Sequence, residues 1–79
     1  MKTIIFDGWE IGMKKISFYK MLKANSHLSL KESKSVSDRL LQGEIIEIEF
    51  ETENIAKLIV EESQKFGVKC RLADKQVIN

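Results

Sequence analysis

The sequence predicts an α/β (α+β) two-layer sandwich of order β-α-α-β-α-β, with three helices on one face of a three-stranded sheet. Three observations carry this. Glu44 to Glu51, EIIEIEFE, alternates at period two, with Ile46, Ile48 and Phe50 on one side and Glu47, Glu49 and Glu51 on the other. A strand with one apolar and one acidic face belongs in a sheet covered on a single side. Ser29 and Glu32 have the spacing of a capping box that opens a helix. Gly43 and Gly67 each follow a run of helical apolar spacing, where a residue free to adopt positive φ ends a helix.

Taken in order, residues 3–11, TIIFDGWEI, read as the first strand. Ile4 and Phe6 share a face, and Gly8 is placed to host a bulge that shifts the alternation before Trp9 and Ile11. Trp9 is expected in the core or at its rim. After the break at Gly12, residues 14–23 form a first helix that buries Phe18, Met21 and Leu22. Ala24 to His27 form a turn. The second helix runs from about Leu30 to Gln42 with Ser33, Val36, Leu40 and Leu41 inward; Ser33 permits close helix approach, and Ser37 is a weak point. Thr52 caps a third helix ending at Phe66, with Glu53 favoured in its first turn and Ile55, Leu58, Ile59 and Phe66 at helical spacing. Residues 68–72 close the sheet, Cys70 facing the core between Val68 and Leu72 as an inert packed thiol. Residues 73–79 are a tail that frays or adds a short edge strand. Phe18, Leu22, Val36, Leu40, Ile46, Ile48, Phe50, Ile55, Ile59, Phe66, Val68 and Cys70 are expected to share one core.

Seventy-nine residues allow one domain, 1–79, near the lower limit for a core without staples. No run approaches the roughly 20 apolar residues of a membrane span. Asp7 and Glu10 interrupt any secretory pattern, and a single cysteine makes no internal disulfide, so a cytoplasmic monomer is expected. The net charge of +1 conceals segregation. Residues 14–39 hold seven basic against two acidic side chains, and residues 40–66 hold seven acidic against two basic. Such polarity gives two solvated faces of opposite sign, or a basic face that steers an acidic partner.

The chemistry of catalysis is missing from the pattern. There is no phosphate-cradling glycine loop, no Cys/His ligand pair and no nucleophile–base set. The glutamates of 44–51 point to open solvent at period two and converge on no pocket. His27, the only histidine, sits in a polar turn as a surface or capping residue. A non-enzyme without metal or cofactor is expected. In the first helix, Lys15, Tyr19 and Lys23 form an i, i+4, i+8 row beside Ile16 and Lys20. An aromatic ring flanked by cations on a solvated row has the character of a contact surface.

Leu28-Ser29-Leu30-Lys31-Glu32-Ser33-Lys34, preceded by Lys15-Ile16-Ser17-Phe18-Tyr19-Lys20, resembles the C-terminal domain of the bacterial large-subunit ribosomal stalk protein. That family has L-G-L-K-E-A-K after a helix of the form K-V-A-V-I-K-x-V-R, and the likeness in element order and apolar pattern covers roughly residues 3–72. The resemblance implies a cytoplasmic, bacterial translation module whose first helix and start of the second capture translational GTPases. The matched positions are Lys15, Ile16, Tyr19, Lys20, Lys23 and Lys34. Lys15, Lys20 and Lys34 keep the family's residue type, Ile16 and Tyr19 replace smaller aliphatics, and Lys23 replaces an arginine, keeping charge without the bidentate fork. Ala24, His27 and Ser29 stand where the family has glycines around the turn. The family's N-terminal dimerisation domain and hinge are missing ahead of the first strand, so the expectation is not an ordinary stalk subunit but either a free-standing relative with its own partner or an excised domain, the second weakened by the initiator-like Met1.

The function expected first is therefore non-enzymatic protein binding, with an acidic partner such as a translational GTPase on the Tyr19 face. A nucleic-acid binder using the same lysines ranks lower, because the acidic strand repels a wrapped phosphate backbone. A protease adaptor is the third reading: the Clp-protease adaptor shares the general fold, but its acidic entry motif and ligand-pocket residues are not found here.

Overall fold

The structure, a computed structural model, describes residues 1–73. Six elements follow in the expected order: β1 (Lys2–Trp9), α1 (Lys15–Asn25), α2 (Leu30–Leu41), β2 (Ile46–Phe50), α3 (Glu53–Lys65) and β3 (Val68–Ala73). The three helices cover one face of an antiparallel sheet of order β2-β1-β3. Both edge strands run antiparallel to β1, so β2 and β3 are parallel to each other, joined by α3 across the central strand as in a split βαβ unit. The tail readings for residues 74–79 lie outside the described residues, while Ala73 belongs to β3.

Alternation fixes which side of each strand meets the helices. Ile4 and Phe6 of β1, Ile46 and Phe50 of β2, and Val68 of β3 are buried with Phe18, Met21, Leu22, Val36, Leu40, Ala56 and Ile59. Phe6 meets Phe18 edge to face, with centroids 5.8 Å apart. Ile48, Ile55, Phe66 and Cys70 pack against this cluster but are only partly buried. For Ile48 and Cys70 the reason is that β2 and β3 are edge strands, with no neighbour beyond them among the described residues. Leu72 lies on the core side by alternation yet is 38% exposed at the same edge.

The bulge expected at Gly8 is present. Phe6 pairs with Cys70 and Gly8 with Lys69, leaving Asp7 as the extra residue and bringing Trp9 opposite Val68. Trp9 is thereby a rim residue. The strand ends there, so Ile11 is not part of it and is fully exposed in the following loop. The loop is held from outside: Glu10 N donates to Gly67 O at 2.8 Å, and Lys14 N to Phe66 O at 2.9 Å.

Helix ends follow the side-chain chemistry. Helix α1 runs through Asn25 into the expected turn, because Asn25 Nδ2 donates to Met21 O at 3.0 Å and Ser26 Oγ to Leu22 O. Those bonds satisfy carbonyls that a helix end otherwise leaves open. The capping box at α2 is complete, with Glu32 N donating to Ser29 Oγ and Ser29 N to Glu32 Oε1, both 3.1 Å. Thr52 Oγ1 accepts from Ile55 N at 3.2 Å at the start of α3. Gly43 and Gly67 adopt φ of +92° and +84°.

The helices depart from a simple apolar stripe at several positions. Leu58 is 39% exposed, and the inner stripe of α3 passes instead through Ala56, Ile59 and Ser63. Ser37 is fully buried, and its hydroxyl donates to Lys34 O at 2.8 Å, so the polar side chain is satisfied there. Ser33, also fully buried, has no partner for its hydroxyl among the described residues. Leu41 is half-buried at the end of its helix.

Candidate protein-binding groove between the first two helices

Helix α1 buries Phe18, Met21 and Leu22, which turns Lys15 and Tyr19 toward α2, leaves Ile16 at the outer rim of that side, and leaves Lys20 and Lys23 facing solvent. Helix α2 buries Ser33, Val36, Ser37 and Leu40, so Lys34 and Asp38, one turn apart, fall on its flank beside α1. The small buried Ser33 and Ser37 sit where α2 faces its neighbours. Between the two helices lies a shallow groove of about 330 Å³ lined by Lys15, Ile16, Tyr19, Lys34 and Asp38.

Four of the six residues picked from sequence thus share one concavity. Lys20 and Lys23 are exposed outside its lining, on the outward side of α1. Tyr19 is half-buried rather than largely exposed, because Lys34 Nζ lies over its ring, 5.6 Å from the centroid. That contact is a cation–π arrangement, worth about 0.5–1 kcal/mol at an exposed site. Ile16 contributes the apolar wall and is 57% exposed.

Asp38 was not among the residues expected. Its carboxylate is ion-paired to Lys15 Nζ, so one groove cation is already matched within the fold. The signal was present in the sequence: Lys34 and Asp38 are four apart on one helix, which places both on the same flank. That Asp38 meets Lys15 of the other helix needed the packing of α1 on α2.

Other reactive groups have structural explanations. Burial pushes the Cys70 thiol up to about 11, outweighing the nearby Ser63 hydroxyl, which favours the thiolate; Asp7 adds to the rise. The thiol faces Val60 O at 3.8 Å and is poorly nucleophilic at neutral pH. His27 is a surface residue whose ring tilts against Phe50 at 6.1 Å. Among the described residues no group of three or more His, Cys, Asp or Glu side chains is arranged to hold a metal ion, and no helix is long and apolar enough to cross a membrane.

The arrangement offers a ring, an aliphatic side chain, cations and the Asp38 carboxylate to a complementary surface. No family model, curated protein or solved structure matches the chain.

Proposed function

We propose that the chain is a non-enzymatic protein-binding module that receives an acidic protein surface in the α1–α2 groove. The observation that carries this is the meeting of Tyr19 and Ile16 with Lys15 and Lys34 in one concavity, with Lys20 and Lys23 beyond it. An aromatic and aliphatic centre supplies desolvated area, and a cationic rim supplies encounter rate and orientation. The resemblance to the ribosomal stalk domain makes a translational GTPase the first partner to test, on a cytoplasmic translation role. A nucleic acid is a weaker occupant, because one approach to the Tyr19 ring is taken by Lys34 and base stacking would have to displace it.

The test is an NMR titration of the labelled chain with a purified translational GTPase and, separately, with single-stranded RNA. Shifts confined to residues 15–23 and 34–38 on adding the GTPase support the reading; shifts there with RNA alone overturn it. Tyr19→Ala should weaken the complex by about 2 kcal/mol with the fold intact. Lys20→Glu should instead slow association and reduce its salt dependence.

A further inference from the structure

The chain between β1 and α1 makes a turn that the rest of the fold leaves uncovered. Met13 N donates to Glu10 O at 3.0 Å, Gly12 has φ +92°, and no non-glycine residue described has a positive φ. Positive φ at the third turn position alone defines type II, with Ile11 at the corner. Glu10 N to Gly67 O at 2.8 Å and Lys14 N to Phe66 O at 2.9 Å tie both ends of the turn to the α3–β3 junction. The backbone is thus fixed, yet Ile11 is 100% exposed and Trp9 is 40% exposed. The Glu10 carboxylate between them is exposed and makes no ion pair among the described residues. An apolar side chain on a preorganised corner loses little freedom when it docks. The turn is also remote from the last described residue: Ala73 pairs with Thr3, whereas Trp9 pairs with Val68, about 17 Å of strand away.

We propose that this turn is a plug for the α1–α2 groove of a second copy of the chain, the two copies exchanging turns about a twofold axis. The proposal rests on the reading of the groove as a seat for an acidic surface. Trp9-Glu10-Ile11 presents a carboxylate between two apolar side chains, and the groove presents Tyr19 and Ile16 with Lys34 beside them. Lys15 is already matched by Asp38, which leaves Lys34 as the groove cation without a carboxylate among the described residues. Glu10 of one copy then meets Lys34 of the other, and Ile11 meets Tyr19 and Ile16. An isologous contact needs its two complementary patches to adjoin on one copy. They adjoin here because the turn runs directly into α1, whose first turn carries Lys15 and Ile16 of the groove.

Two turns in two shallow grooves bury far less than the roughly 1,600 Å² of a standard interface, so the dimer is weak. It fills the groove of each copy. Self-association and an acidic partner therefore exclude one another, and a partner that takes the groove releases monomers.

Sedimentation velocity and NMR of the full chain, diluted from about millimolar concentration, test this. A concentration-dependent dimer is expected, with amide shifts on dilution confined to residues 9–19 and 34–38. Ile11→Ser should weaken association by about tenfold or more, with circular dichroism unchanged because the side chain is fully exposed. Glu10→Lys alone and Lys34→Glu alone should each be monomeric. Mixing those two variants should restore a dimer, since each copy then offers the other opposite charge at both contacts. A native chain that stays monomeric overturns the proposal, as does a dimer that survives Ile11→Ser, a mixture that fails to associate, or shifts that fall elsewhere. Species larger than a dimer overturn the reciprocal exchange. A translational GTPase added to the same samples separates the two readings. A native chain that binds it in the groove but never dimerises overturns the plug and keeps the groove; a dimer with these contacts and no GTPase binding keeps the plug and overturns that partner.

Discussion

At the residue scale, the start of α2 is fixed by two reciprocal bonds between Ser29 and Glu32. Ser29→Ala should lower stability by about 1 kcal/mol, read as a fall in melting temperature. The Glu32 carboxyl is held below its ordinary value of 4.5, first by the Ser29 backbone N–H, then by the Ser29 hydroxyl, with His27 contributing. A depressed carboxyl stabilises the folded state above its unfolded value and loses that contribution as pH falls through the folded one. The stability gap between the native chain and Glu32→Gln should therefore be fully open at neutral pH and close below about pH 4.5. A gap independent of pH would remove the charged form from the cap. This motif was legible because it is local: three residues of spacing and two side-chain types specify it. Ser37 was not, since its rescue by the Lys34 carbonyl depends on a rotamer that spacing does not reveal.

At the scale of elements, strands and helix ends were readable where the signal repeats or terminates sharply. The period-two run around β2 gave the correct inner face, and burial separates Phe50, 1% exposed, from the half-covered Ile48. Phe50→Ala should cost about 3–5 kcal/mol and Ile48→Ala distinctly less, measured by denaturant unfolding. Equal costs would mean that β2 is covered on its outer side. Gly67 joins α3 to β3 at φ +84°, and an added Cβ would stand 3.1 Å from Met13 Cα. Gly67→Ala thus meets both backbone strain and a main-chain contact that cannot swing aside, and should destabilise by more than about 1 kcal/mol. Gly43 has the same handedness with open space around it, so Gly43→Ala is the milder control. Leu58, at helical spacing with Ile55 and Ile59, is 39% exposed for the converse reason. The inner stripe of α3 is made by Ala56 and Ser63, whose small or polar side chains give no apolar signal.

At the scale of the whole molecule, sequence gave the layers but not the strand order β2-β1-β3, which depends on long-range pairing. The candidate groove shows the same limit, because it is shared by two helices and only one was read as a row. Lys15, Tyr19 and Lys23 were legible at i, i+4, i+8, whereas the Lys15–Asp38 pair exists only once α1 lies against α2. That pair can be tested by itself. Both side chains are about half exposed, so the bridge adds little to stability, within about 1 kcal/mol. Its larger effect is on the field of the groove, where Asp38 offsets the Lys15 cation. Asp38→Asn keeps the shape and removes the charge. Its melting temperature should stay nearly unchanged, while an acidic partner should associate faster and with a steeper salt dependence, because Lys15 is released to it. If Asp38→Asn instead weakens that partner, Asp38 is itself a contact, and the groove selects a surface carrying both signs of charge rather than an acidic one.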